Sequence, residues 1–294
     1  MGDVDGQTPF HYAASDGHEA VVRLLLEKGA AVDAEDGKRR TALHKAARNG
    51  HEPVVQLLLE KGAAINGMDQ GRRTALHCAA SGGHETTVQL LLEKGAAVDT
   101  EDGKRRTALH KAARNGHESV VQLLLEKGAA INGMDQGKQT ALHYAVSGGH
   151  ETMVQLLLEK GAAVDVGDVD GQTALHYAAS DGYEAMVRLL LEKGAAVDME
   201  DGKRQTVLHK TVKADNKVIV QLLLEKGAKA DTRDIHGRTA LHYAASDGYE
   251  AMVQLLLEKG AAVDIEDGKR RAVLNKAVRT AARRPALPWP RLLV

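Results

Sequence analysis

With 294 residues, 43% of them hydrophobic but only 3% aromatic, and a formal charge of −1, the chain can bury a large aliphatic core and carries no bulk excess of either sign. Near-neutrality argues against a polyanion binder driven by net charge, and the single cysteine, Cys78, excludes an intramolecular disulfide or a Cys-rich zinc site. No apolar run reaches the roughly 18 residues that span a bilayer.

Met1 to Gln7 lack the apolar core of a signal peptide, and Gly6 stands where a myristoylation signal wants Ser or Thr. The expectation is an intracellular protein, cytoplasmic or nuclear, without a membrane span. From Thr8 onward a Thr is followed three residues later by a His at Thr8, Thr41, Thr74, Thr107, Thr140, Thr173, Thr206 and Thr239, always 33 residues apart. A strict period of this length predicts one supersecondary unit copied and stacked, because no single unit buries its own apolar face.

In the second copy the elements run in this order. Asp36-Gly37-Lys38-Arg39-Arg40 is a loop, and Thr41 suits the N-cap of a first helix. Ala42, Leu43, Ala46 and Ala47 form an apolar stripe at helical spacing, and Gly50 ends that helix after about two turns. Glu52 opens a second, greasier helix with Val54, Val55, Leu57, Leu58 and Leu59, which Gly62 stops. Small Ala in the first helix and bulky Leu in the second let neighbouring units approach closely.

The pattern Thr41-Ala42-Leu43-His44, then Ala46, Gly50-His51, a Val/Leu run and Gly62-Ala63 resembles the ankyrin repeat, over residues 3 to about 280. The resemblance implies an all-α solenoid of stacked helix-turn-helix units with projecting hairpin-like loops. It also implies a non-enzymatic module that binds partner proteins on a concave face of loop tips and first helices. The expected organisation is an array over 1–280, with eight full repeats and a partial ninth, and an irregular Pro/Arg-containing tail over 281–294.

Fourteen histidines need placing before any is called functional. Eight belong to the T-x-x-H pattern, His18, His51, His84, His117 and His150 follow the helix-ending Gly, and His236 stands alone. A metal or catalytic reading needs Cys or carboxylate partners on the same face, and the repeat supplies none, so neither cofactor nor catalytic residue is expected. The resemblance implies that the histidines bond loops and the Thr hydroxyl.

Function is sought where copies differ. One type has H-K-A with a cation three residues on (Lys45 and Arg48, Lys111 and Arg114, Lys210 and Lys213). The other mostly has H-Y-A followed by Ser (Tyr12, Tyr144, Tyr177, Tyr243). Their alternation makes a 66-residue super-repeat, broken where Tyr144 and Tyr177 meet. The near-identity of residues 33–99 and 99–165 points to tandem duplication.

The predicted partner-binding residues are a basic strip of Lys38, Arg39, Arg40, Lys45, Arg48, Arg72, Arg73, Lys104, Arg105, Arg106, Lys111 and Arg114. To these are added Tyr144, Tyr177, Asp181, Tyr243 and Asp247, a set suited to hydrogen bonding and aromatic anchoring. Two readings of the strip compete: ion pairing to Asp33, Glu35 and Asp36 and their copies Asp99, Glu101 and Asp102, or recognition of an acidic segment of a partner protein. Nucleic acid is disfavoured because no aromatic residue interleaves the strip for base stacking.

Several departures carry their own expectations. Arg39 occupies a slot that Gly fills in Asp3-Val4-Asp5-Gly6, so a different turn is expected there. In the seventh unit Thr211, Val212 and Asp215 replace two small residues and the helix-ending Gly, which predicts a local stability minimum. A ninth unit begins with Ala272 and Asn275 in place of Thr and His, and the pattern dissolves from Arg279 through Pro288-Trp289-Pro290. The chain opens at a loop without a polar capping helix, which keeps open two alternatives: a recognition arm of a larger receptor, channel or enzyme, and self-association through the end units.

Overall fold

The computed structural model describes residues 3–263 and 265–267. The chain divides into two compact units, Met1–Ala163 and Val164–Val294. In the first, five helix pairs follow one another: α1 (Pro9–Ser15) and α2 (Glu19–Glu27), α3 (Ala42–Asn49) and α4 (Glu52–Glu60), α5 (Ala75–Gly82) and α6 (Glu85–Glu93), α7 (Ala108–Asn115) and α8 (Glu118–Glu126), α9 (Ala141–Ser147) and α10 (Glu151–Glu159). In the second come α11 (Ala174–Ser180) and α12 (Glu184–Glu192), α13 (Val207–Lys213) and α14 (Lys217–Glu225), α15 (Ala240–Asp247) and α16 (Glu250–Glu258). No strand forms among the described residues, and none of their helices is long and apolar enough to cross a membrane.

Each first helix starts as the Thr spacing predicts. Thr41 is extended, at φ −92° and ψ 170°, and His44 sits at the third helical position. There it does the work that Glu or Gln does in a capping box. His44 Nδ1 accepts the Thr41 N–H at 3.2 Å and the Thr41 hydroxyl at 2.9 Å, so the ring's proton is on Nε2, which donates to the Arg73 carbonyl 2.9 Å away. One neutral tautomer therefore ties a helix start to the loop of the next repeat. The same arrangement recurs at His77, whose Nε2 reaches the Arg106 carbonyl, and at His110 and His209.

In the first unit the histidine after the helix-ending Gly forms a second ladder running the other way. His51, His84, His117 and His150 donate to the carbonyls of Ser15, Arg48, Ser81 and Arg114, at the C-terminal ends of the preceding first helices. Those ends have orphan carbonyls that need donors. Gly50, at φ 74°, does two things at once: it takes the left-handed conformation that ends α3, and it leaves room for His84, whose Nδ1 would lie 2.4 Å from a Cβ at that position.

A third link joins repeats through the turn after the second helix. Oδ1 of Asp33, Asn66, Asp99 and Asn132 accepts the backbone N–H of Ala64, Ala97, Ala130 and Ala163 respectively. The tips are joined backbone to backbone, from Gly37 N–H to the Asp5 carbonyl (2.8 Å), Gln70 to Lys38 (3.0 Å), Gly103 to Gly71 (2.8 Å) and Gln136 to Lys104 (2.9 Å). Between these links lies the aliphatic core. Leu43, Leu58, Leu76, Leu91, Leu109 and Leu124 are all less than 2% exposed, and a fully buried Leu contributes about 1.5–3 kcal/mol.

The expectation of a different turn at Arg39 is corrected. Arg39 adopts φ 59°, and the turn keeps the bonds of the Gly form: Asp36 N–H to the Arg40 carbonyl at 2.9 Å and Arg39 N–H to the Asp36 carbonyl at 2.8 Å, as in Asp3 to Gln7 and Gly6 to Asp3. Asp36 overrides the steric preference, because its Oδ1 accepts both the Lys38 and Arg40 N–H groups at 2.9 Å.

In the second unit the T-x-x-H ladder continues, while Tyr183, Asn216 and Tyr249 stand where the second ladder has His. Asp215 takes φ 50°. Beside it the Asn216 side chain caps α14 by accepting from Ile219 N–H, and within α13 the buried Thr211 hydroxyl donates to the Val207 carbonyl at 2.8 Å. Asp215→Gly is expected to raise stability by about 1 kcal/mol by removing a left-handed non-Gly residue, read as a higher urea midpoint. Hydrogen exchange should show α13 opening more readily than α11. Ala272, Asn275, Arg279 and Pro288-Trp289-Pro290 lie outside the described residues.

Candidate protein-binding face

The site is best built outward from one buried carboxylate per tip. Asp36, Asp69 and Asp102 each accept two backbone N–H groups of their own turn on Oδ1. The other oxygen, Oδ2, faces inward and takes cations: Arg40 at 2.8 Å and Lys45 at 3.2 Å on Asp36, Arg73 at 2.6 Å on Asp69, Arg106 at 2.9 Å and Lys111 at 2.8 Å on Asp102. Burial alone would raise these carboxyl pKa values. The hydrogen bonds from Arg40, Lys45 and the turn N–H groups outweigh it at Asp36, and those from Lys111 and Arg106 at Asp102, holding both carboxyls well below the usual carboxylate range.

Nine residues after the tip Asp stands a Lys or a Tyr, with Cys78 the exception, and the two kinds share one task. Where Lys is replaced by Tyr, the phenol donates to the same oxygen: Tyr144 to Asp135 at 2.7 Å, Tyr177 to Asp168 at 2.7 Å and Tyr243 to Asp234 at 2.6 Å. Burial and the bond to Asp135 push the Tyr144 hydroxyl up to about 12. Lys45, Tyr144 and Tyr243 are buried, and Lys111 and Tyr177 half-buried. Lys45, Lys111, Tyr144, Tyr177 and Tyr243 therefore turn under the tip rather than outward, each adding a partner to a carboxylate that at Asp36, Asp102 and Asp234 also holds an Arg, whereas Tyr12 is exposed.

The alternation itself has a packing reason. Each Lys-type unit in the first half reaches back through Asn, from Asn49 Nδ2 to the Ser15 carbonyl and from Asn115 Nδ2 to the Ser81 carbonyl, both at 2.8 Å. Where a Tyr-type unit follows, the second cation also reaches forward. The Arg114 guanidinium lies 5.8 Å from the centre of the Tyr144 ring, and in the second unit Lys213 Nζ lies 4.3 Å from that of Tyr243. Lys45 Nζ meets Gln7 Oε1 at 2.6 Å, and Gln205 Nε2 donates to the Tyr243 hydroxyl at 2.9 Å. The Lys-type units at Lys111 and Lys210 are thus complementary to the Tyr-type units that follow them, at Tyr144 and Tyr243.

What remains on the surface is a smaller set. Arg40, Arg73 and Arg106 are half-buried in the tip ion pairs. Arg39 and Arg105 are exposed and pair with Glu35 at 3.3 Å and Glu101 at 3.2 Å, contacts of the kind that contribute at most about 1 kcal/mol. Lys38, Arg48, Arg72, Lys104 and Arg114 are exposed and in no ion pair among the described residues. So is Lys138, which the sequence reading passed over although it stands one period after Arg105. In the second unit Asp181 caps the end of α11, Asp247 is the last residue of α15, and both are exposed.

The lone cysteine is a wall of this scaffold. Cys78 is buried where other units carry Lys or Tyr, and burial pushes its thiol up, so it lacks the thiolate character that reactive cysteines have. No group of three or more His, Cys, Asp or Glu converges on a metal-binding geometry among the described residues.

Paired helices in 33-residue register, with hydrogen-bonded tips and a charged face of first helices, define a repeat-built binding scaffold. Comparison with known proteins gives that scaffold its family. A model described as ankyrin repeats, three copies, matches residues 1–69, 63–135, 131–201 and 195–267, and the chain belongs to the ankyrin-repeat family. Among solved structures it is similar to the crystal structure of the human ASB11 ankyrin repeat domain, with 29% identity and a TM-score of 0.69, over 76% of this chain and 99% of that one. No curated protein matches. Ankyrin repeats are generally protein–protein interaction modules.

Proposed function

We propose that this chain is a non-enzymatic scaffold that binds a partner protein on the face formed by loop tips and first helices, and that in the first unit the contact is to an acidic segment. The observation that carries the reading is a separation of charges. The buried cations of the tips are consumed by Asp36, Asp69 and Asp102, while Lys38, Arg48, Arg72, Lys104, Arg114 and Lys138 remain exposed and outside any ion pair of the described residues. A framework fixed by four kinds of inter-repeat hydrogen bond presents these groups without much ordering entropy, which favours affinity.

Affinity capture with the full chain, quantified beside an Arg48→Ser/Arg114→Ser variant, tests the reading. The expected result is a loss of the captured partner, steeper at low salt because exposed charges are screened over about 8 Å at physiological ionic strength. Capture unchanged by the substitutions at every salt concentration would count against this face as the contact surface.

A further inference from the structure

Four successive tips of the first unit hold a basic residue in a conformation that glycine adopts at no cost. Arg39, Arg72, Arg105 and Lys138 have φ of 59°, 58°, 59° and 57°. Gly6 shows that Gly fits this slot in the same turn, at φ 71°. A left-handed non-Gly residue is strained, and here the strain is repeated tip after tip with the charge retained.

The charge is also metered. Counting solvent-facing side chains, residues 35–39 carry Glu35, Lys38 and Arg39, and residues 101–105 carry Glu101, Lys104 and Arg105. At 68–72 and 134–138 Met68 and Met134 replace the glutamates, Gly71 and Gly137 replace the lysines, and Arg72 or Lys138 stands alone. Among solvent-facing side chains, two different compositions thus leave a net of one positive charge per tip in four consecutive repeats, with Arg39 and Arg105 held beside Glu35 and Glu101. The flanking first tip has Asp5 beside Gly6 instead.

The tips are held in register by the backbone bonds from Gln70 to Lys38, Gly103 to Gly71 and Gln136 to Lys104. Stacked helices lie about 8–10 Å apart, and a peptide in the extended polyproline II conformation advances about 3.1 Å per residue and returns to the same face every third residue. One repeat therefore corresponds to about three peptide residues.

We infer that Arg39, Arg72, Arg105 and Lys138 form a ruler for an extended protein segment with an acidic side chain at every third position, one carboxylate per repeat. This rests on the protein-binding reading above and names the chemistry of the partner. A segment with the same acids placed together satisfies at most one or two tips, so spacing rather than total charge is what the row reads.

The experiment uses the full chain and two labelled 14-residue peptides of identical composition, one with Asp at positions 2, 5, 8 and 11 and one with the four Asp contiguous, titrated by fluorescence anisotropy. The spaced peptide is expected to bind about tenfold more tightly. Replacing all four row residues by Gly (Arg39→Gly, Arg72→Gly, Arg105→Gly, Lys138→Gly) is expected to weaken it roughly 50–100-fold, at about threefold per exposed charge pair. The thermal midpoint of that variant should equal or exceed the parent's, because Gly relieves the left-handed strain.

Equal affinity for the two peptides, unchanged affinity in the Gly variant, or a lowered midpoint would each overturn the proposal. So would an oligothymidylate of equal charge binding more tightly than the spaced peptide. Partner capture that persists in the Gly variant but fails with Arg48→Ser/Arg114→Ser would overturn the ruler and leave the protein-binding reading standing.

Discussion

Asp102→Ala is expected to lower the unfolding free energy by about 3–5 kcal/mol, the range for removing one partner of a buried ion pair. The Asp102 carboxylate is 1% exposed, and the cations it serves, Arg106 and Lys111, are 22% and 15% exposed. Its loss strands both, frees the Lys104 and Arg106 N–H groups and removes the side chain that holds Arg105 left-handed. Lys111→Tyr supplies the contrast. Tyr144 occupies the same slot one repeat later and donates to its own tip Asp, so this exchange should stay within about 1 kcal/mol. Urea unfolding of both variants beside the parent decides the point, and equal losses would deny that the Lys/Tyr position is a partner of the carboxylate.

Lowering the pH from 7.5 to 5 should destabilise the array well before any carboxylate titrates. Burial lowers the pKa of His44, His77, His110, His176 and His209, and bonds to the Arg73, Arg106, Gln139, Gln205 and Arg238 carbonyls only partly offset it. An unfolded histidine titrates near 6.5. Above that value neither state binds a proton and stability is flat. Below it the unfolded chain takes up protons that the folded ring refuses, so stability is lost until the pH has passed the folded pKa.

The refusal has a structural cause, since a proton on Nδ1 would face the Thr N–H that this atom accepts. Each such histidine adds to the slope in its window, and His44, His77 and His110 share the first unit, so their losses add there. Asp36, Asp69 and Asp102, with lowered pKa values, stay ionised in both states until about pH 4 and add a second loss below it. Urea midpoints at pH 7.5, 6.5, 5.5 and 5.0 should change little between the first two and fall after. A flat profile to pH 5 would mean the rings are protonated in the folded protein.

The helices, their Thr starts and Gly stops, and the left-handed strain at Asp215 were all legible in the sequence, because a 33-residue period makes each local signal repeat eight times. The Lys/Tyr alternation was visible but its direction was not. Amphipathic spacing places residue 45 opposite the apolar stripe, and only the tertiary fold shows that the tip carboxylate of Asp36 lies over that side. Arg39 was misread for a related reason: steric preference disfavours positive φ, and the competing term, two N–H bonds to one buried Asp oxygen, depends on geometry rather than residue type. Lys138 could have been found by continuing the period from Arg39, Arg72 and Arg105.

The claim that the buried alternating residues are scaffold and the exposed cations are the contact is tested most directly by one quantitative capture experiment with three forms of the full chain. These are the parent, a Lys45→Tyr/Lys111→Tyr variant that exchanges the residues beneath the tips, and an Arg48→Ser/Arg72→Ser/Lys104→Ser variant that removes exposed cations in no ion pair of the described residues. The account predicts parent-level capture by the first variant and loss by the second. Loss by the tyrosine variant at unchanged stability, with full capture by the serine variant, would contradict it.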